Sequence, residues 1–429
     1  MKRSIRAIAL IATLSLAGAA CGAQTTSGNK SGGAQTDIGI TSTEIHLGSI
    51  FPVSGSASAY YSVAKGANAY FEYVNAHGGV NGRKVTFTVV DDGYSPANTP
   101  AKARELVQAD QVFAVYGELG TPTNLSVRDY YNQSKVPQVF VFTGSSHWGA
   151  DYSKFPWTLG WQPDYVTEGK IYSKYLLQNA ASAKIGILYQ NDDYGQDYVK
   201  GLKAGLGGKA ASMIVKEATY NAGDPVDVSS QVNDLKASGA DWFYVVATPA
   251  YAANAVVNAV KNGWAPKIIM NNVSASPSTW RAVTKQLGAG ASAVDGMLST
   301  VYLKDPTDTA RYASDAGVKL FRDVMTRYGG ALGGSPCPPD GSDSFCVSGM
   351  ASAYTMVALL KQMGSKLTRK NLMSIAANHL NVTNDPLLLP GMIVKTTPTD
   401  HFPIQQMQLE KWQGDHFVLS GNLINVRGT

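Results

Sequence analysis

Apolar and polar residues follow two regular patterns along this chain, one typical of strands and one typical of helices. The stretch EIHLGSIF at residues 44–51 has the length and apolar content of a buried strand. In residues 61–77, Val63, Ala67 and Val74 recur at intervals of four and seven, which predicts an amphipathic helix. The turn GGVNGR and the β-branched stretch KVTFTVV then predict a second strand. The patterned part of the chain therefore opens with a strand–helix–strand unit.

The same alternation continues through the rest of the chain. Further strands are predicted at residues 112–116, 138–142, 184–189, 212–219, 242–247, 267–271 and 296–302, with short closing strands at 405–410 and 417–419. Helices are predicted at residues 96–108, 122–133, 226–237, 249–262, 309–328, 347–364 and 368–377, and after Pro163 and Gly195. Strands that alternate with helices are typical of a largely parallel sheet with helices on both faces.

A break at GWQP, residues 160–163, divides the alternation into two runs. The chain has 429 residues, which is more than a single hydrophobic core usually holds. We therefore predict an α/β protein with two doubly wound lobes, joined by several crossings, and a ligand cleft at the carboxyl ends of the strands. Residues 39–162 and 302–392 are assigned to lobe 1, and residues 163–301 and 393–429 to lobe 2.

The beginning of the chain has a separate pattern. Three basic residues within the first six precede an apolar stretch, residues 7–20, which is shorter than the roughly 20 residues that a spanning helix needs. This pattern is typical of a secretory signal peptide, predicted here as residues 1–20. The motif LAGAAC ends at Cys21 and resembles a bacterial lipobox, in which the cysteine is lipidated. The alternative is an ordinary secretory signal with an incidental cysteine.

The segment after Cys21 predicts a flexible tether over residues 21–38. Residues 22–35 are rich in Gly, Ser and Thr and contain no large apolar side chain. A domain held by this tether would lie outside the cytoplasm, anchored to the outer face of a membrane or in a periplasm.

Charge and cysteine content narrow the function classes. The formal charge is +5, and it falls to +2 without the three basic residues of the signal segment, which is too close to neutral to favour nucleic acid. We found no stretch of about 18 apolar residues after Cys21, so no membrane span is predicted there. Cys337 and Cys346 are predicted to form a disulfide in an oxidising compartment. Two free thiols or a metal pair are the alternatives.

Several motifs in a fixed order resemble the periplasmic binding proteins for branched-chain amino acids. They are IFPVSG, KGANAYFEYVNAHGGVNGRKV, the pair DD, VYGELGT, VPQVFVFTGSS, YQNDDYG and DPVDVSSQVNDLKASGADWFYVV. The similarity extends from about residue 44 to about residue 419. These relatives are type I solute-binding proteins of ABC transporters, and the family takes a lipoprotein form in Gram-positive bacteria. The resemblance implies a monomer that closes on a small-molecule solute and is recognised by membrane permease subunits.

The resemblance also implies which residues contact the ligand. Thr121 follows a strand and precedes Pro122, so it is predicted to cap a helix, whose N-terminus attracts anions. In the family, Thr121 and the segment TGSS match residues that hold a ligand carboxylate. The residues of this segment are Thr143, Gly144, Ser145 and Ser146.

Further ligand contacts are implied on both lobes. Ser54 and Tyr60 lie in the loop after the first strand, which borders the ligand in the family. Trp148, next to TGSS, is a candidate for the apolar end of the pocket, with simple packing as its alternative role. Tyr194 matches a tyrosine that lies on the ligand from the second lobe, with a surface cap as its alternative role.

At two further candidate ligand contacts the chain departs from the family. Thr248 lies where the amino-acid binders have a tyrosine, and Asn272 lies near the position of a glutamate that pairs the α-ammonium. Because a buried ammonium without a counter-charge is costly, we expect a ligand with an acidic group and no α-ammonium, such as an aromatic or aliphatic carboxylate. The alternative is an amino acid paired by an acid from elsewhere. The candidates for that acid are Asp192, Asp193 and Asp224.

The sequence lacks the common enzyme motifs. It contains no GxSxG elbow, HExxH pair or Walker A loop, and its six histidines lack metal-ligand spacing. Ser145 and Ser146 next to His147 do not predict a hydrolase, because adjacent residues rarely adopt nucleophile–base geometry. We therefore expect a binding protein without cofactor or metal. The alternatives are a secreted hydrolase and a ligand-sensing ectodomain.

Overall fold

The computed structural model describes residues 35–426 of the chain. The predicted signal peptide, Cys21 and most of the tether lie outside the described residues. The described part contains two large sheets, each covered by helices on both faces, and two short two-stranded pairs, Gln35–Thr36 with Lys366–Leu367 and Asn381–Val382 with Val394–Lys395.

The elements are numbered in chain order. The strands are β1 (Gln35–Thr36), β2 (Glu44–Phe51), β3 (Lys84–Asp91), β4 (Ala114–Tyr116), β5 (Gln138–Val141), β6 (Thr158–Gly160), β7 (Ile185–Gln190), β8 (Ile214–Tyr220), β9 (Trp242–Val246), β10 (Lys267–Met270), β11 (Leu298–Val301), β12 (Lys366–Leu367), β13 (Asn381–Val382), β14 (Val394–Lys395), β15 (Gln406–Gln413) and β16 (His416–Asn425). The helices are α1 (Tyr61–Ala76), α2 (Thr99–Arg104), α3 (Thr121–Ser134), α4 (His147–Ala150), α5 (Tyr165–Asn179), α6 (Asp193–Leu206), α7 (Ala210–Met213), α8 (Ser229–Ala237), α9 (Pro249–Lys261), α10 (Pro277–Leu287), α11 (Thr309–Tyr312), α12 (Ala316–Tyr328), α13 (Ser344–Gln362) and α14 (Arg369–Asn378).

Lobe 1 is built on a five-stranded parallel sheet in the order β3-β2-β4-β5-β6. The inner strands β2, β4 and β5 are largely buried, as expected for a parallel sheet covered on both faces, whereas the edge strand β3 is mostly half-buried. Leu47 and Tyr116 belong to the large core that also contains Phe71 of α1 and Met350 of α13. A smaller core on the other face contains Val115 and Val127.

Lobe 2 is built on a seven-stranded sheet in the order β16-β15-β11-β10-β9-β7-β8. The five strands from β11 to β8 are parallel, and β15 and β16 add an antiparallel hairpin at the β11 edge. One face packs on α8, α9 and α10, with Val256 and Trp280 in its core. The other face packs on α5 and α6, with Tyr172 and Tyr198 in its core.

The chain crosses between the sheets three times. It leaves lobe 1 after β6, returns after β11 to form α11–α14, and enters lobe 2 again before β15. The helices α12, α13 and α14 share the large core of lobe 1. This architecture confirms the predicted two-lobed α/β fold. The residue boundaries assigned to the lobes stay a prediction.

Close packing of α13 on α1 depends on two glycines. A Cβ atom on Gly66 would lie 2.1 Å from the carbonyl oxygen of Cys346, and one on Gly349 would lie 1.9 Å from that of Val63. Among residues 35–426, α13 is the one helix long and apolar enough to cross a membrane by length and composition. This differs from the expectation that no such stretch follows Cys21. Most of α13 is buried in the core of lobe 1.

Some predicted elements have different bounds in the structure. The helix predicted at 96–108 begins at Thr99 and ends in a π-helical turn, Glu105–Ala109. The segment 309–328 is two helices, because Asp315 caps α12 by accepting a hydrogen bond from the backbone N–H of Val318 at 2.9 Å. The closing strands are longer than predicted, since they pair with each other over most of their length.

The disulfide between Cys337 and Cys346 is present, with the Sγ atoms 2.10 Å apart and both residues buried. Cys346 lies in the first turn of α13. The bond therefore ties the loop before α13 to the start of that helix.

Candidate functional site

A cavity of about 100 Å³ lies between the two lobes. In lobe 1 the strand order reverses between β2 and β4, and in lobe 2 it reverses between β7 and β9. The segments after these four strands all contribute to the lining, through Tyr60, Thr121, Tyr194 and Thr248 respectively. Ligands of doubly wound sheets bind at such reversal points, beyond the carboxyl ends of the strands. The position of the cavity thus follows from the topology of both sheets.

Apolar side chains and tyrosines dominate the lining. The apolar residues include Leu119, Phe142 and Phe345 from lobe 1 and Val273 and Phe417 from lobe 2. The tyrosines are Tyr60, Tyr94, Tyr165, Tyr194 and Tyr302. Burial raises the pKa of Tyr60 and of Tyr194 well above the ordinary value of a phenol. Their hydroxyl groups therefore stay protonated at neutral pH and can donate hydrogen bonds.

The two lobes contact each other directly around the cavity. The hydroxyl of Tyr60 donates to the carbonyl oxygen of Val273 at 3.0 Å. The side-chain amide of Gln190 donates to the hydroxyl of Tyr94 at 3.4 Å. Each bond joins a group of lobe 1 to a group of lobe 2.

Thr121 lies on the cavity but does not cap its helix. Gly120 is the N-cap residue of α3, at φ 101°, and no side chain caps this end. The hydroxyl of Thr121 is instead 2.6 Å from the hydroxyl of Thr143. The predicted capping role was therefore wrong, because α3 begins at Thr121 itself and Gly120 takes the N-cap position. Thr143 itself lies behind Thr121 and outside the lining.

The remaining residues of TGSS bond to residues of lobe 2 and do not line the cavity. The carbonyl of Gly144 accepts from the N–H of Tyr165 at 2.7 Å, and so helps to place this tyrosine on the lining. The carboxylate of Asp197 accepts from the hydroxyl of Ser145 at 2.9 Å and from the N–H of Ser146 at 2.8 Å. The hydroxyl of Ser146 also contacts this carboxylate at 3.2 Å.

Two further candidates lie away from the cavity. Ser54 is exposed, and its hydroxyl donates to Asp91 at 2.6 Å. Trp148 is buried, with the guanidinium of Arg128 above its ring at 5.2 Å. Neither side chain belongs to the lining.

The candidates of lobe 2 all reach the cavity. Tyr194 follows Asp192, whose carboxylate accepts from its N–H at 3.0 Å, and its hydroxyl hydrogen-bonds the side-chain amide of Asn271. The N–H of Thr248 donates to the hydroxyl of Tyr220 at 3.0 Å. Asn272 uses its side-chain amide to bond the carbonyl of Thr300.

A buried carboxyl group supports the Asn272 segment. Glu168 accepts from the N–H of Asn272 at 2.8 Å and from the hydroxyls of Tyr172 and Tyr198, each at 2.7 Å. Burial raises its pKa to about 7. This group holds the segment in place from behind the cavity.

The sequence did not identify the charged residues of the lining. They are Lys304, Asp305 and Glu410. Asp305 follows β11 on the crossing to lobe 1, and Glu410 lies on β15, far along the chain from the quoted motifs. The acids suggested from the sequence, Asp192, Asp193 and Asp224, lie outside the lining. No short-range signal marks Glu410, because the hairpin that presents it pairs with β11 only in the folded lobe.

Two α/β lobes, three crossings and a mostly apolar cavity between the lobes define a two-lobed solute-binding protein. A sequence profile of the family described as Periplasmic binding protein matches residues 44–416, and the chain belongs to this family. The predicted relationship to type I solute-binding proteins of the branched-chain amino acid ABC family is confirmed. At the level of the family, this is an extracytoplasmic binding protein rather than an enzyme.

The similarity to known proteins is distant in sequence and extensive in fold. The Leu/Ile/Val-binding protein homolog 3 of Brucella melitensis biotype 1 is 27% identical over 203 residues, which are 47% of this chain and 54% of the relative. This chain spans about half the length of the curated relatives it matches.

Two solved structures share the fold. A fatty acid ABC transporter substrate-binding protein from Thermomonospora curvata has a TM-score of 0.74 at 19% identity, covering 92% of this chain and 95% of its own. A branched-chain amino acid ABC transporter protein from Thermus thermophilus with bound valine has a TM-score of 0.74 at 14% identity, covering 92% and 98%.

Proposed function

We propose that this chain captures a small organic solute and delivers it to the permease of an ABC importer. The solute is an amino acid or an aromatic or aliphatic acid. The observation that carries this proposal is the cavity at the strand-order reversals of both sheets, lined by side chains from both lobes. Relatives described as binding Leu/Ile/Val, fatty acid and valine support the choice of solute classes.

The mechanism is hinge closure. The solute first bonds to groups of one lobe, and the other lobe then covers it by motion about the three crossings. Contacts between the lobes stabilise the closed form, among them Tyr60 with Val273 and Asp197 with Ser145 and Ser146. The permease then recognises the closed form.

Thr121 is the best-placed donor for a ligand carboxylate. Thr121 lines the cavity as the first residue of α3, a helix of 14 residues whose N-terminal dipole favours negative charge. Thr143 acts behind it, through the hydroxyl contact. The apolar part of the solute packs on Leu119, Phe142 and Val273.

We further propose that the protein is a monomer anchored through lipid on Cys21. The segment LAGAAC and the Gly/Ser/Thr-rich residues that follow support this part of the proposal. Mass spectrometry of the protein from its native membrane tests it. A diacylglyceryl group on Cys21 is expected, and a mature chain that begins elsewhere would contradict it.

The proposed function is tested by a thermal-shift screen against amino acids and aromatic and aliphatic acids. A ligand at 100 times its Kd adds roughly 2.7 kcal/mol to the free energy of unfolding, which is a readable shift. At least one class is expected to stabilise the protein. Turnover of an ester panel without such stabilisation would favour the hydrolase alternative and contradict the proposal.

Hinge closure is tested with Asp197→Ala, which removes three hydrogen bonds between the lobes. We expect roughly ten-fold weaker binding, because the closed form loses about 1–2 kcal/mol. The ligand-free variant should also have a larger radius of gyration in X-ray scattering. Gln196→Ala, at an exposed neighbour on α6, is the control. Unchanged affinity and radius in the Asp197 variant would argue against this contact as a closing device.

A further inference from the structure

Glu410 is a buried carboxyl group whose side chain has no partner among the residues that the structure describes. It lies near the middle of β15, opposite Ser299 of β11 and Leu419 of β16, and its side chain lines the cavity. Only 5% of the residue is exposed. Within residues 35–426, no hydrogen bond or ion pair involves either of its carboxylate oxygens. Burying such a group without a partner costs free energy, so we expect a group outside the chain to bind it.

Asp305 also lines this cavity and carries an unsatisfied carboxylate oxygen. Its Oδ1 accepts from the N–H of Thr307 at 2.8 Å and from the hydroxyl of Thr307 at 2.7 Å. Its Oδ2 is buried and has no hydrogen-bond partner among residues 35–426. Asp305 and Glu410 together form what we call the acidic wall of the cavity.

The other charged groups near the acidic wall do not neutralise it. The carboxyl of Glu168 repels that of Glu410 but is itself satisfied by three donors. Lys304 binds the carboxylate of Asp315 at 2.8 Å. The positive charge of Arg281 favours the carboxylate form of Asp305. The Nε of Arg281 donates to the carbonyl of Asp415 at 2.8 Å.

We infer that the acidic wall, Asp305 and Glu410, binds a protonated amino group of the solute. This inference rests on the proposed function and selects amine-bearing solutes within it. It departs from the expectation drawn from Asn272, which rested on the absence of a carboxylate in that segment, and follows the alternative of an acid from elsewhere in the chain. A carboxylate at the acidic wall would be repelled by Asp305, whereas an ammonium satisfies the unpartnered oxygens.

The binding of an amine is then linked to the release of a proton. Burial, with Asp305 and Glu168 nearby, raises the pKa of Glu410 well above its ordinary value, which favours the protonated form in the free protein. An ammonium favours the carboxylate form, and this proton leaves as the amine binds. Affinity for amines therefore rises with pH until Glu410 is ionised in the free protein.

The experiment compares ligands that differ only in their charged groups. Leucine, isopentylamine and isocaproate share one apolar body, and phenylalanine, phenethylamine and hydrocinnamate share another. Each is titrated calorimetrically into the purified full-length chain. Ligands with an amino group are expected to bind at least ten-fold more tightly than the acids without one. Titrations in phosphate and in Tris, which differ in ionisation enthalpy, should reveal release of up to one proton per amine.

Glu410→Gln tests the residue directly. We expect at least ten-fold weaker binding of the amines, no change for the acids and no proton release. Asp305→Asn, the second variant, should weaken the same ligands. Glu105→Gln, at an exposed site on another element, is the matched control. Thermal unfolding checks that each variant folds.

The outcomes separate this inference from the proposed function. The acidic-wall inference would be overturned if the acids bind tightly, the amines bind no more tightly, and Glu410→Gln has no effect. The proposal of solute capture would then remain intact. If no ligand of either series binds, both proposals fail for these solute classes.

Discussion

At the scale of single residues, three buried glutamates of this chain meet different surroundings. Glu118 accepts from the hydroxyl of Tyr131 at 2.7 Å and from the side-chain amide of Gln138 at 2.9 Å, so it is part of the structure of lobe 1. Glu168 is satisfied by three donors and supports the Asn272 segment. Glu410 lines the cavity and has no such donors in the part of the chain that the structure describes. The same residue type thus serves the fold at two sites and lines the cavity at a third.

Thr121→Val is the sharpest single-residue test of the carboxylate end. Valine keeps the shape of the threonine side chain and removes its hydroxyl. We expect roughly ten-fold weaker binding of carboxylate ligands, since a hydrogen bond to a charged group contributes about 1.5–3 kcal/mol. Calorimetric titration measures the change.

The control is the same substitution two residues later. The hydroxyl of Thr123 donates to the carbonyl of Leu119 at 2.6 Å and lies outside the lining. Thr123→Val should lower stability and leave affinity unchanged. Equal affinity losses in the two variants would mean that α3 was distorted and that Thr121 has no specific contact.

At the scale of elements, short capped helices and a crosslinked loop shape the cavity wall. The N-cap Asp192 fixes the first turn of α6 and so the direction of Tyr194. On lobe 1, the first residues of α13, Ser344 and Phe345, line the cavity next to the disulfide at Cys346. The start of α13 is therefore fixed both by its core contacts and by a covalent bond.

Removal of the disulfide by Cys337→Ala with Cys346→Ala should lower the free energy of unfolding by about 2–3 kcal/mol, because the bond closes a short loop. Urea denaturation under non-reducing conditions measures this. Dithiothreitol should lower the urea midpoint of the unmodified protein to that of the double variant. It should leave the midpoint of the double variant unchanged. An oxidised and a reduced protein with the same midpoint would contradict the prediction.

At the scale of the whole molecule, buried carboxyl groups in both lobes link stability to pH. Burial raises the pKa of Glu118 to about 8 and those of Glu168 and Asp385 to about 7. Between the ordinary carboxyl pKa and these values, the folded protein holds more protons than the unfolded chain. Its stability therefore falls as pH rises through this window. The carboxyls with lowered pKa, such as Asp91 and Asp151, titrate below it.

We expect the free energy of unfolding of the ligand-free protein to be lower at pH 8 than at pH 5. Each group contributes at most about 1.4 kcal/mol per pH unit while it titrates. Urea denaturation across this range measures the slope. Glu118→Gln should flatten the slope, and a stability that rises with pH would refute the assignment.

Much of the fold followed from local patterns. The alternation of apolar strands such as EIHLGSIF with amphipathic helices implied two doubly wound lobes, and the order of the motifs implied the family. The bounds of α11 and α12 were missed, because a cap by Asp315 interrupts an otherwise continuous helical pattern.

The site was predicted in part. Tyr60, Thr121, Tyr194, Thr248 and Asn272 lie on the cavity, since each follows a strand that ends at this edge of its sheet. Ser145 and Ser146 also follow such a strand, but their hydroxyls point to Asp197. Position after a strand can be read from sequence, whereas the direction of a side chain depends on what packs against it.

The sequence by itself determined the class of this protein, because strand and helix periodicity are local properties of the chain. Only the tertiary structure revealed the acidic wall. Asp305 and Glu410 are separated by more than a hundred residues along the chain, and they meet at the cavity because the hairpin of β15 and β16 pairs with β11. That pairing, and the burial that leaves both carboxyl groups without enough partners, arises from long-range packing that no local pattern encodes.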